Sequence, residues 1–176
     1  MFKKLSYSYF RFFLDGISFA RRLGVKVGTD CRIYTAQFGS EPWLIEIGNK
    51  VTVTSGVTIL THDGSTWLFN DDKGRRFLYK KTIIKNNVFI GTNSIIMPGV
   101  VIEDNVIVAA GSVVTKSVPS GVIIGGNPAK IIGDYDTYKA KVFSGYVSES
   151  EMDFTKTYKE RILEIVDQSI KPYLKK

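Results

Sequence analysis

Between residues 84 and 114 a branched aliphatic recurs at every sixth position: Ile84, Ile90, Ile96, Ile102, Val108 and Val114. That period fits neither the 3.6-residue turn of an amphipathic helix nor the two-residue alternation of an ordinary strand, and it marks a repeat architecture. Three residues after the first five stand Asn87, Asn93, Gly99, Asn105 and Gly111. Glycine and asparagine accept left-handed backbone angles most readily, so a corner is predicted in each repeat. Four residues after each aliphatic come Val88, Ser94, Val100, Val106, Ser112 and Val118, small or β-branched groups suited to the remaining inward space. The pattern predicts a prism of short strands wound as a solenoid.

The same grammar occurs earlier, in Val27 and Ile33 and then in Ile47, Val53 and Ile59, with Gly28 and Gly48 directly after the first aliphatic of two repeats. Between Ile59 and Ile84 the repeat breaks. Residues 63–82 form a polar, aromatic excursion, far longer than an ordinary connection of ~4–6 residues, and such loops are usually functional or disordered. A shorter irregularity covers residues 35–44, where Gly39 and Pro42 interrupt strand pairing.

Two segments flank the solenoid. Residues 2–23 place Phe2, Leu5, Tyr9, Ile17 and Ala20 at helical spacing among lysines and arginines. The predicted helix either covers the first coil or attaches to a membrane surface. Residues 148–171 open with a capping-like Ser148 and acidic residues, then carry Ile162, Ile165, Val166 and Ile170, predicting a second helix. The organisation expected is a helical cap over residues 1–24, the repeat domain over 25–133 and a helical extension over 134–176.

With 176 residues the chain has room for one sizeable core, and 24 basic against 17 acidic residues favour an anionic partner. Nucleic acid is not expected, because no binding motif accompanies the charge. The single cysteine, Cys31, excludes an intrachain disulfide framework and a cysteine-rich zinc site, which suits a cytoplasmic location. No apolar run reaches the ~18 residues of a membrane span, so any membrane contact would be peripheral, through residues 2–23 on the cytoplasmic face.

His62, the only histidine, falls three residues after Ile59, in the slot that asparagine or glycine takes in other repeats. It is therefore expected at a corner, outside the core, where the long loop departs. An imidazole there, beside Thr61 and Asp63, suits a general base working near neutral pH.

The segments 61–64 (THDG), 83–119 (IIKNNVFIGTNSIIMPGVVIEDNVIVAAGSVVTKSVP) and 125–133 (GGNPAKIIG) resemble the hexapeptide-repeat acyltransferases, in particular the galactoside, maltose and nodulation-factor O-acetyltransferases. The resemblance implies a mainly β fold, a left-handed parallel β-helix, assembled as a homotrimer with active sites between subunits. It also implies acetyl-CoA as co-substrate, no metal, and transfer to a hydroxyl of a small-molecule or oligosaccharide acceptor in cell-surface polysaccharide synthesis. Carried over by motif, His62 is the general base, Glu41 its orienter, and Thr92, Ala110, Thr115, Lys116 and Lys130 contact coenzyme A. A further basic position of the family falls on Gly133, for which Arg75, Arg76, Lys80 or Lys81 could compensate. The small residues around Ala110 suit both tight coil packing and close approach of a pantetheine arm. Trp43 and Trp67 are candidate walls of a sugar site, their other reading being core or interface. N-acyl transfer to an amino-sugar nucleotide and a non-catalytic β-helix scaffold are the competing expectations.

Overall fold

A computed structural model describes residues 14–173. The chain divides into two compact units between Tyr138 and Lys139. The first is a three-sided parallel β-solenoid. One face stacks the strands Lys26–Val27, Ile45–Ile47, Thr82–Ile84 and Val101–Ile102. A second stacks Arg32–Ile33, Thr52–Val53, Val88–Ile90, Val106–Val108 and Val122–Gly125, and a third stacks Thr58–Ile59, Ile95–Ile96 and Val113–Val114. All of these pair in parallel. Between residues 82 and 114 partners lie eighteen residues apart on all three faces, as in Ile83 with Val101, Phe89 with Ile107 and Ile95 with Val113, and the last coil shortens this to sixteen, as in Ile107 with Ile123.

The core is the column that the repeat predicts. Ile84, Ile90, Ile96, Ile102, Val108 and Val114 are buried, and the inward space between them is filled by Val88, Ser94, Val100, Val106, Ser112 and Val118. The two serines satisfy their hydroxyls within the coil: Ser94 donates to the Gly91 and Ala109 carbonyls and Ser112 to that of Ala109. The corners are left-handed at all five predicted positions, Asn87, Asn93, Gly99, Asn105 and Gly111, and again at Asp30, Lys50, Gly56 and Gly121. At a second type of corner the close approach of coils requires glycine outright. A Cβ on Gly91 would stand 2.4 Å from the Ala110 amide nitrogen, and one on Gly48 would stand 2.8 Å from the Lys85 carbonyl oxygen.

One edge carries a polar ladder. The Asn49 side-chain oxygen accepts the Thr29 amide at 2.9 Å, that of Asn86 accepts the Asn49 amide at 2.9 Å, and the Asp104 carboxylate accepts the Asn86 amide at 2.7 Å. Each side chain thereby supplies the partner that a turning backbone lacks.

The ends differ from the repeats. Helix α1, Gly16–Leu23, starts at Asp15, whose carboxylate accepts the Ile17 and Ser18 amides, and stops at Gly24 in a left-handed conformation. It places Phe19 and Ala20 in the core, and the Arg21 guanidinium donates to the Val27 and Gly28 carbonyls of the first coil. The remainder of the predicted helix, residues 2–13, lies outside the described residues. At the other end the strand Lys130–Asp134 turns back antiparallel on Val122–Gly125 and finishes the second face. Among the described residues no helix is long and apolar enough to cross a membrane.

Helix α2, Tyr135–Gly145, falls within the helical extension expected over 134–176 but outside the apolar spacing of 148–171; the Asp134 carboxylate caps it by accepting the Thr137 amide. In the second unit the single helix predicted over 148–171 is instead a 3-10 turn at Glu149–Glu151 followed by helix α3, Tyr158–Ile165. Local side chains compete with the helical backbone on both sides of α3. Asp153 accepts the Thr155 amide and hydroxyl, Thr157 and Glu160 form a capping box, and Asp167 accepts the Ser169 amide and hydroxyl.

Adjacent residues of one strand offer a test of the prism. Ile90 is 0% and Phe89 40% exposed, pointing to opposite sides of the wall. Ile90→Ala should lower the unfolding free energy by about 2–5 kcal/mol in urea titration, and Phe89→Ala by less than half as much.

Candidate active site

The long excursion is inserted where the third face of the second coil should pass to the first face of the next. Across it the partner separation grows from eighteen residues to thirty-seven, as in Glu46 with Ile83 and Thr58 with Ile95, while the register of all three faces is kept. The inserted chain has structure of its own: a 3-10 turn at Gly64–Leu68, begun by the Asp63 carboxylate, and a hairpin of Asn70–Asp71 with Gly74–Arg75. The Ser65 hydroxyl and amide hold the Asp63 carboxyl below its ordinary pKa. The excursion closes on itself at its base, where the Lys80 amide donates to the Thr61 carbonyl at 2.8 Å and the Asp63 amide to that of Leu78 at 3.1 Å.

His62 therefore has a backbone unlike that of the other repeats. It occupies the counted corner slot but not the left-handed conformation; instead it bridges antiparallel to Tyr79. The loop's own hydrogen bonds replace the turn that asparagine or glycine makes elsewhere. The ring stands 5.9 Å from that of Tyr79, and the side chain is 35% exposed.

Glu41 reaches this ring from the preceding coil. It sits just before the Pro42–Leu44 3-10 turn, in the irregular stretch where Phe38 plugs the core. Its Oε2 lies 2.7 Å from His62 Nδ1 and accepts the hydroxyl of fully buried Thr61 at 2.8 Å. A carboxylate only accepts, so Nδ1 carries the proton and Nε2 of the neutral ring keeps its lone pair. Nε2 faces Gly64, where even an added Cβ would stand 3.9 Å away.

Beside the ring is a cleft of about 400 Å³, lined by Leu60, His62, Leu78, Lys80, Met97 and Thr115 among others. Leu60, Met97 and Thr115 are one column, the residues that follow the three stacked strands of the third face. Of the residues singled out in the sequence, His62, Glu41 and Thr115 are thus brought together. Thr92 and Ala110 lie at the opposite end of the third face, on either side of a close coil contact at Gly91. Lys116 is exposed beyond Thr115, and Lys130 begins the antiparallel strand. Neither tryptophan lines the cleft: Trp43 packs its Cβ near Gly24, and Trp67 projects from the excursion with Arg75 over its ring. Of the four basic residues considered as substitutes, Lys80 lines the cleft, Lys81 pairs with Glu46, Arg76 with Asp71, and Arg75 lies between the Trp67 and Phe77 rings. Leu60, Leu78 and Met97 carry no signal in the sequence beyond their place in or beside the repeat.

Because the buried Thr61 hydroxyl finds its acceptor in Glu41 among the described residues, Glu41→Ala should cost about 1–3 kcal/mol of stability. Thermal and urea unfolding would read this, and the double variant with Thr61→Val should recover part of the loss.

Residues 81–116 match the family described as bacterial transferase hexapeptide (six repeats). The chain is 49% identical over 153 residues to Protein CapG of Staphylococcus aureus, an alignment covering 84% of this chain and 86% of that protein. It is 33% identical over 113 residues to galactoside O-acetyltransferase of Escherichia coli (strain K12), covering 64% of this chain and 55% of the relative. Among solved structures, a galactoside acetyltransferase in complex with coenzyme A superposes with a TM-score of 0.52 at 24% identity, over 76% of this chain and 74% of that one. The parallel three-sided coils, the six-residue period and these matches agree: the chain belongs to the hexapeptide-repeat acyltransferases.

Proposed function

We propose that this acyl-CoA-dependent transferase is an O-acetyltransferase of a saccharide hydroxyl, with His62 as general base and Glu41 as its orienter. The observation that carries the reading is the 2.7 Å contact between His62 Nδ1 and Glu41 Oε2, at the wall of a cleft. It holds the ring in the tautomer a base requires. The acceptor hydroxyl gives its proton to Nε2 as its oxygen attacks the thioester carbon, the C–S bond breaks, and the proton passes to the departing coenzyme A thiolate. No covalent enzyme intermediate is needed.

Thr115 in the cleft is a contact for the pantetheine arm, with Lys116 and Lys130 reaching its phosphates. Thr92 and Ala110, at the other corner, belong in this reading to a site completed by a neighbouring copy, which makes the homotrimer part of the proposal. Helix α1 serves as a cap of the first coil in this reading. The galactoside O-acetyltransferase of Escherichia coli supports a hydroxyl acceptor, while a role in cell-surface polysaccharide synthesis rests on the motif resemblance alone.

The test is free thiol released from acetyl-CoA across neutral saccharides and amino-sugar nucleotides. His62→Ala should lower acceptor-dependent release about 100- to 10,000-fold. Release with amino-sugar nucleotides alone would replace O- by N-acyl transfer. No release with any acceptor, together with no calorimetric binding of coenzyme A, would leave a scaffold.

A further inference from the structure

Lys80 is the one cation among the residues lining the cleft beside His62, and the proposed transfer reaction leaves it without a task. Its position is held twice. The backbone amide donates to the Thr61 carbonyl at 2.8 Å, directly before the catalytic histidine in the chain. The aliphatic stem lies along Gly99, so closely that a Cβ there would stand 2.5 Å from Lys80 Cδ. Its neighbour Lys81 pairs with Glu46 at 2.9 Å, whereas no carboxylate among the described residues pairs with Lys80. The other walls include the apolar Leu60, Leu78, Met97 and Pro98 and one carboxylate, Asp63, which is engaged by the Ser65 amide at 2.9 Å and hydroxyl at 2.7 Å.

A lysine at an open cleft, held by its backbone and stem and paired with no carboxylate among the described residues, is matched by an anion on whatever enters. Two partners carry one: the acceptor and coenzyme A. The phosphates of coenzyme A are separated from the reacting thioester by the whole pantetheine arm, and Lys80 shares its cleft with the imidazole at which the thioester reacts. The geometry points to Lys80 as a specificity-determining residue that selects an anionic acceptor, a saccharide bearing a carboxylate or phosphate close to the acetylated hydroxyl. This rests on the acyl-transfer reading above and adds to it the charge of the substrate. The excess of 24 basic over 17 acidic residues works in the same direction by drawing anions towards the surface.

The experiment compares kcat/KM for acetyl transfer within matched pairs: methyl glucoside with methyl glucuronide, methyl galactoside with methyl galacturonide, and N-acetylglucosamine with its 1-phosphate. The native protein should prefer the charged member of at least one pair by about tenfold or more, the worth of one charge-assisted hydrogen bond. Lys80→Met keeps an unbranched stem over Gly99 and should bring that ratio towards one, while Lys80→Arg should retain it. Equal or better transfer to neutral members by the native protein overturns the assignment and leaves the transferase reading standing. So does a Lys80→Met variant in which only the KM for acetyl-CoA rises, which would place the ammonium on coenzyme A. An equal fall in kcat for charged and neutral acceptors also overturns it, by making Lys80 a stabiliser of the oxyanion. If the native protein transfers acetyl to no member of any pair yet binds coenzyme A in calorimetry, the assignment of Lys80 to these anionic saccharides is overturned while the transferase reading stands; if it also binds no coenzyme A, the acyl-transfer reading fails with it.

Discussion

A coil made of three short strands closes only if the backbone reverses its curvature at regular places, and that requirement governs this protein. The left-handed residues Asn87, Asn93, Gly99, Asn105 and Gly111 meet it in the upper coils. Their spacing brings Ile84, Ile90 and Ile96 inward on three successive faces, and the next coil repeats the arrangement with Ile102, Val108 and Val114. Hydrophobic burial and parallel pairing thus follow from one geometric condition. A residue that could not adopt the corner angle would move both an inward side chain and a row of hydrogen bonds.

The same condition explains how a loop as long as the 63–80 excursion can be inserted without disturbing the solenoid. The chain leaves the prism after His62 and returns at Lys80, and the Thr61 to Lys80 and Asp63 to Leu78 hydrogen bonds close its base. Register on all three faces is unaltered across the insertion. The corner is made by two chain segments instead of one residue. A non-glycine side chain with an exposed ring can therefore stand where a repeat would otherwise demand a left-handed backbone, and the returning segment supplies Leu78 and Lys80 to the adjacent cleft.

Polar chemistry at the site depends on how few groups share it. Glu41 Oε2 takes two donors, the Thr61 hydroxyl from within the core and the His62 ring from its edge. The buried hydroxyl anchors the carboxylate, and the carboxylate orients the ring. The Glu41 side chain is only 15% exposed, and this partial burial strengthens both interactions.

Much of the architecture was legible in the chain because a six-residue period is a local property: each aliphatic, each corner and each small filler is read within one repeat. His62 was legible for the same reason, as the residue at which the period fails. Other features depend on distant partners. Glu41 meets His62 across twenty-one residues through an irregular turn, so no spacing rule reports the contact, and only the motif likeness pointed there. The division of the C-terminal helix turned on Asp153, Thr157 and Asp167, whose side chains compete with a backbone that apolar spacing alone would make continuous. Lys80 and Lys81 are neighbours of the same type, and nothing in their order distinguishes them. One meets Glu46 of another coil and the other turns into the cleft, a difference made by which parts of the chain the stacked coils bring to one edge.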